Sequence, residues 1–92
     1  MIIRIMGRGQ YQVKSDLFDT LDALDNTIVD LVQKGNEDAF RKTLDELIGT
    51  ILRHGTQLDD RDLVASDVIV PPADMTLAEA RDVFRGTGLF TS

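Results

Sequence analysis

The stretch LVQKGNEDAF, residues 31–40, decides the architecture of this chain, because it ends one helix and begins another without a spacer. Lys34 stands in the last turn of the first predicted helix, and Gly35 follows at the position where helices commonly end in a left-handed residue. Asn36 is a good N-cap for the second helix, and two acids follow it in the first turn. A helix stop directly followed by a helix start allows only a tight reversal, so the sequence predicts an antiparallel αα-hairpin.

Both predicted helices carry apolar residues at alternating spacings of four and three. On the first helix, which we expect to begin at the N-cap Ser15, these residues are Leu17, Leu21, Leu24, Ile28 and Leu31. On the second helix, which we expect to end at Gly55, they are Phe40, Leu44, Leu47 and Ile51. Each helix would be about 18 residues and so roughly 27 Å long. The two stripes predict that the helices pack against each other.

The chain begins with an apolar run, MIIRIMGRGQYQV, that meets two glycines. Residues 2–6 and 10–13 read as two short strands, and Gly7 and Gly9 suit a hairpin turn because glycine tolerates positive φ. A dinucleotide-binding loop would need a third glycine, but Gln12 stands at that position and the first helix begins too late. The sequence therefore favours a turn over a phosphate-binding loop.

The second half of the chain adds one strand and one helix. Residues 56–66 form an acidic connection, and DVIV at 67–70 is typical of a third short strand, ended by two prolines. Thr76 and Glu79 have the spacing of a capping box, which predicts a short C-terminal helix that ends near Gly86. The fold class we predict is α+β: an αα-hairpin, a small N-terminal β-hairpin with a third strand, and a C-terminal helix.

Composition narrows the class of partner. The 92 residues predict a single domain over 1–92, and the net charge of -6 comes from 16 acidic and 10 basic side chains. An acidic chain without a basic patch is a poor nucleic-acid binder and is repelled by anionic lipid, so we expect neither nucleic acid binding nor direct membrane insertion. A protein partner with a basic face fits better, and a homo-oligomer stays open. With no cysteine, no signal-peptide pattern and no long apolar run, we expect a cytoplasmic protein.

The residue types that usually carry chemistry are sparse. The only histidine, His54, lies at a predicted helix C-terminus, where the helix dipole favours a positive charge. Four acids near the middle of the chain lack the glycine and closing glutamate of a calcium loop: Asp59, Asp60, Asp62 and Asp67. We therefore predict no catalytic residue, no metal ligand and no cofactor.

A row of acids on the first helix is the candidate binding feature. Its members follow one another at every third position: Asp16, Asp19, Asp22 and Asp25. Residues 16–34 contain these four acids, a fifth acid, Asp30, and a single base, Lys34. The row is therefore either a solvated face or an acidic strip that recognises a basic helix. Beside it we expect exposed apolar residues that add affinity to a partner: Phe18, Val29 and Val32.

Two segments resemble the PspAA family, small proteins associated with phage shock protein A (PspA). They are the N-terminal motif from Ile3 to Tyr11 and the later motif from Ser66 to Asp74, and the resemblance covers nearly the whole chain. It implies a cytoplasmic partner of PspA in the envelope-stress response, where PspA is a coiled-coil protein that binds and remodels the inner face of the membrane. It implies no catalytic residue.

The sequence therefore leaves two functions open. The first is a non-enzymatic adaptor that binds a PspA-like coiled coil, modulates its assembly or membrane association, and is recruited through it to the inner face of the membrane. The alternative is a ligand-sensing or weakly enzymatic domain. Its small polar site near the N-terminal strands would consist of Arg4, Arg8, Gln10, Tyr11 and Asp67. A convergent polar cleft would favour the alternative, and a flat acidic and apolar face would favour the adaptor.

Overall fold

The structure is a computed structural model that describes residues 1–59, 61, 64–84 and 88–90. Its described part has the α+β fold that the sequence predicts, with three α-helices and a four-stranded mixed sheet that holds one strand more than predicted. The strands are β1 (Ile2–Ile5), β2 (Gly9–Gln12), β3 (Thr56–Gln57) and β4 (Val68–Val70). The helices are α1 (Phe18–Lys34), α2 (Glu37–His54) and α3 (Leu77–Val83).

Helices α1 and α2 form the predicted hairpin. Gly35 has a φ of 72° and ends α1 in the left-handed conformation, and Asn36 Oδ1 accepts a hydrogen bond of 3.2 Å from the Ala39 N–H. Both terminal signals in the sequence are thus confirmed. The two helices pack along each other and give the fold its largest internal contact.

The sheet has the strand order β3-β2-β1-β4. The β1–β2 hairpin turns through Gly7 and Gly9, whose φ angles are 86° and 100°, so the predicted turn is confirmed. Strand β4 pairs with β1 in parallel, with Ile5 opposite Val70, and confirms the third strand. The two-residue strand β3 was not predicted, because it exists only through its pairing with β2, where Gln57 lies opposite Tyr11.

The start of the first helix differs from the prediction. Ser15 does not cap an α-helix; Ser15–Leu17 form a 3-10 turn, and neither Lys14 nor Leu17 accepts a capping bond through its side chain. A tight 3-10 turn is a common way to enter an α-helix, and here it begins three positions after the last residue of the second strand. At the other end of the chain the predicted helix stop, Gly86, lies outside the described residues.

One hydrophobic core joins the sheet to the helices. Ile3, Ile5 and Val70 come from the sheet, while Phe40 of α2 meets Phe84 edge-to-face at 6.4 Å between ring centroids. The predicted capping box of α3 is present, since the Glu79 N–H donates to Thr76 Oγ1 at 3.2 Å. The outer face of the sheet is partly covered by residues 64–66, which accept two hydrogen bonds from the Gln10 side chain.

Candidate partner-binding surface

The acids of the predicted row do not share one face. Asp16 lies in the 3-10 turn and Asp19 in the first turn of α1, and both are exposed, whereas Asp22 is half-buried. Asp25 is 0% exposed, so the expectation of a solvent-facing row of four carboxylates is wrong at Asp25. The reason is the helical period: three residues advance by about 300°, so each step of three turns the side chain about 60° back around the axis. From Asp19 to Asp25 the row therefore rotates by about 120°, from solvent into the core.

The apolar residues predicted beside the row are also less accessible than expected. Val29 is 9% exposed and Val32 is 3% exposed, and both belong to the hydrophobic core. Phe18 is half-buried, and its ring meets the ring of Phe90 edge-to-face at 6.3 Å. The expectation that these residues offer free apolar surface is therefore wrong for the two valines, and most of the Phe18 ring is engaged within the chain.

The buried stripe of α1 shares Leu21 and Ile28 with the predicted one and differs from it at two positions. The predicted stripe used Leu24 and Leu31, but both are half-buried. The buried positions with four-three-four spacing are Leu21, Asp25, Ile28 and Val32. Nothing in the spacing alone indicates that a carboxylate takes the buried position beside Leu24.

The Asp25 carboxylate holds the C-terminal segment of the chain. Its Oδ2 accepts a hydrogen bond of 2.8 Å from the Phe90 N–H, and its Oδ1 has no partner among the described residues. Gly88 packs so closely on this carboxylate that a Cβ atom there would overlap it. Asp25 is thus a structural residue that joins α1 to residues 88–90.

A shallow groove runs between α1 and α2 on the side away from Asp25. It encloses about 490 Å³ and opens widely to solvent. Its lining residues are Asp19, Thr20, Ala23, Leu24, Thr27, Glu46 and Thr50. A second stripe on α1 follows the spacing i, i+4 and i+7 and consists of Thr20, Leu24 and Thr27. It was not predicted, because two of its members are polar and small.

The polar residues of the alternative reading point in different directions. Gln10 is buried and donates to Val64 O and Ser66 Oγ at 2.9 and 2.8 Å, so its amide is engaged within the fold. Tyr11 belongs to the core, and Asp67 Oδ2 accepts the Ile2 N–H at 2.7 Å.

Of the two arginines of that set, Arg4 lies opposite Gln10 in the register of β1 and β2, and the Arg8 carbonyl accepts a hydrogen bond of 3.4 Å from the Tyr11 hydroxyl. The side chains of Arg4 and Arg8 are exposed, and Arg8 lies in the hairpin turn. Among the described residues, the hydrogen bonds of Gln10, Tyr11 and Asp67 go to other partners, and no ion pair links Arg4 or Arg8 to Asp67.

The acids in the connection after α2 serve the chain locally. Asp59 pairs with Arg61 at 2.9 Å, and the side-chain hydrogen bond from Arg61 holds the pKa of Asp59 below its ordinary value. Asp60 and Asp62 lie outside the described residues. Within the part of the chain that the structure describes, no cluster of three or more His, Cys, Asp or Glu side chains could hold a metal ion.

His54 contributes to a second, smaller cleft. The cleft encloses about 330 Å³ at the end of α2 and is lined by Lys14, Asp16, Leu17 and His54. His54 is exposed in the last turn of its helix, where the sequence analysis expected a helix-end residue. Its neighbours are two charged side chains of opposite sign and one leucine, and they include no second histidine.

Comparison with known proteins gives one match. The family model of PspAA, the PspA-Associated protein, matches residues 1–92. No curated protein and no solved structure matches the chain. In the described residues no helix combines the length and apolarity that crossing a bilayer requires. The match extends over the full sequence, including both motifs on which the resemblance was based, and the chain belongs to the PspAA family.

Proposed function

We propose that this protein is a non-enzymatic adaptor that binds PspA and modulates its assembly or its association with the membrane. The observation that carries the proposal is the family match over residues 1–92, whose description names an association with PspA and no catalysed reaction. The adaptor acts in the cytoplasm and reaches the inner face of the membrane through its partner.

The charge of the described surface supports this proposal. The first two acids of the row, Asp16 and Asp19, are exposed, and Asp22 is half-buried. The nearest base on α1, Lys34, lies in the last turn, where it forms an ion pair of 2.8 Å with Asp30. Among the described residues Asp16, Asp19 and Asp22 form no ion pair, so the N-terminal half of α1 presents carboxylates that can steer a partner with a basic face during encounter.

Co-purification with PspA from the same organism tests the proposal. A tagged copy of this protein and untagged PspA are mixed and passed over size-exclusion and affinity columns. We expect the two to elute together, and we expect the mass distribution of PspA assemblies, measured by light scattering, to change when the adaptor is added. Independent elution with unchanged PspA assemblies would contradict the adaptor function.

Lipid binding separates recruitment from direct association. With vesicles that contain anionic lipid, the protein alone should stay in the supernatant after flotation, whereas PspA should carry it to the lipid fraction. Flotation of the protein without PspA would contradict recruitment through the partner.

A further inference from the structure

The groove between α1 and α2 has the shape of a seat for a third helix. Two antiparallel helices that touch along their length leave a trough on each side of their contact. In the trough lined by residues 19–27 and 46–50, the residues that face outward are mostly small, namely Thr20, Ala23 and Thr27. Small side chains at these positions allow another helix to approach to the 8–10 Å axis distance of ordinary helix packing.

The spacing of the lining residues fits a helix as well. Thr20, Leu24 and Thr27 form a stripe at i, i+4 and i+7, the spacing by which one helix presents side chains to another. Leu24 is half-buried and supplies apolar surface to the groove, and Thr50 of α2 also lines it. Thr50 has no free hydroxyl proton to offer, because its Oγ1 donates to Glu46 O at 2.7 Å. The apolar contact that the groove offers therefore comes mainly from Ala23, Leu24 and the methyl groups of its threonines.

The charged groups of the groove determine which sign of charge its occupant should carry. Asp19 and Glu46 both line it, and within the described part of the chain neither carboxylate takes part in an ion pair. One base lies close by: the Arg53 guanidinium donates to Thr50 Oγ1 at 3.4 Å. Two unpaired acids against one base favour an occupant with positive charge at its flanks. A second copy of this chain, with a net charge of -6, is disfavoured by like-charge repulsion.

We propose that this groove seats one amphipathic helix of PspA, so that the contact is a three-helix arrangement of α1, α2 and the partner helix. Apolar side chains of that helix lie over Ala23 and Leu24, and Lys or Arg side chains at its flanks lie beside Asp19 and Glu46. The proposal rests on the adaptor function and names the surface and the class of segment that the adaptor binds.

A matched pair of alanines tests the groove. Ala23 lies in it, and Ala78 is an exposed alanine on α3 outside it. Ala23→Trp fills the groove and should weaken PspA binding at least tenfold in calorimetry, whereas Ala78→Trp should leave the affinity within about twofold, because burial of a helix in the groove supplies most of the contact. Circular dichroism and urea unfolding should show both variants folded, since both positions are exposed.

Site-specific photo-cross-linking gives a readout that does not depend on affinity. A photoreactive residue at position 23 should cross-link to a helical segment of PspA that carries Lys or Arg beside an apolar stripe, and one at position 78 should not. If wild type binds PspA but Ala23→Trp binds equally well and position 23 gives no cross-link, the groove is not the seat and the adaptor function stands. If wild type does not bind PspA, both proposals fall. A homodimer that Ala23→Trp dissociates would also overturn the inference, because the occupant would then be a second copy.

Discussion

Phe90 and Asp25 are joined by a buried hydrogen bond of 2.8 Å from the Phe90 N–H to Asp25 Oδ2, although 65 residues separate them in the chain. The bond closes the C-terminal segment over α1, next to the edge-to-face contact between Phe18 and Phe90. It gives one oxygen of the buried carboxylate a donor in place of water, whereas Oδ1 has no partner among the described residues.

Removal of this acceptor should weaken the fold. Asp25→Ala leaves the Phe90 N–H without an acceptor, and an unsatisfied buried donor costs about 1–3 kcal/mol. Asp25→Asn keeps a carbonyl oxygen and should cost less. As a control, Asp19→Ala on the exposed part of α1 should stay within about 0.5 kcal/mol of wild type. Urea unfolding measures the free energy of unfolding of all three variants. Hydrogen exchange should show the Phe90 amide protected only in proteins whose side chain at position 25 can accept its hydrogen bond. Equal stability of Asp25→Ala and wild type would contradict the structural role of Asp25.

Two glycines should respond in opposite directions to the same substitution. Gly88→Ala places a methyl group on the Asp25 carboxylate, so it should force the C-terminal segment away and cost about 1–3 kcal/mol. Gly49 lies inside α2, where its added Cβ would meet only the flexible Arg53 side chain at 3.4 Å. Gly49→Ala should therefore stabilise the protein by about 0.5–1 kcal/mol through the higher helix propensity of alanine. Thermal unfolding of the two variants checks the signs, and a stable Gly88→Ala would show that the segment does not press on Asp25.

Local signals in the sequence predicted most of the fold, because they act over a few residues. Gly35 and Asn36 fix the hairpin through one left-handed residue and one side-chain cap, and the pair Thr76 and Glu79 fixes the start of α3. The parts that the sequence did not predict depend on contacts between distant residues. Strand β3 requires its pairing with β2 across the whole αα-hairpin.

The candidate binding surface was harder to predict for the same reason. In the sequence Asp25 is one more acid of the row. Only its contact with the distant Phe90 shows that it belongs to the core. The buried stripe has Asp25 where the prediction has Leu24, and Leu24 lines the groove instead. Periodicity alone could not choose between the two registers, because both follow a four-three pattern.

The capping box of α3 should make stability depend on pH. The Thr76 backbone N–H, followed by its hydroxyl, donates to Glu79 Oε1 at 3.1 and 2.9 Å, and these bonds hold the pKa of Glu79 below its ordinary value. A carboxylate with a lowered folded pKa stabilises the fold above its unfolded pKa and loses that contribution as pH falls through the folded pKa. The stability advantage of wild type over Glu79→Gln should therefore be present at pH 7 and absent at about pH 2.

Urea unfolding at a series of pH values measures that advantage. The same comparison in a Thr76→Ala background serves as the control, because the donor hydroxyl is then missing and the pH dependence should be smaller. A difference between wild type and Glu79→Gln that stays constant from pH 7 to about pH 2 would show that the ionised carboxylate does not support the cap.

Charge reversal on α1 should slow the association with PspA more than it speeds dissociation. Asp19 is exposed and Asp22 half-buried on the N-terminal half of α1, and their replacement by Lys changes the local field from negative to positive. Charged groups of this kind mainly set the association rate, so the double variant Asp19→Lys, Asp22→Lys should associate about tenfold more slowly at low salt.

The control, Asp45→Lys with Asp74→Lys, makes the same change in net charge at exposed positions outside the groove and should have a smaller effect. Stopped-flow mixing at about 0.1 M and 1 M salt separates the electrostatic part of the association rate from the rest. The Debye length falls from about 10 Å to about 3 Å between these concentrations, so the difference between the two variants should disappear at high salt. Association rates that respond neither to salt nor to the reversal would leave the acids as a solvated face, and binding would then depend on apolar contacts in the groove alone.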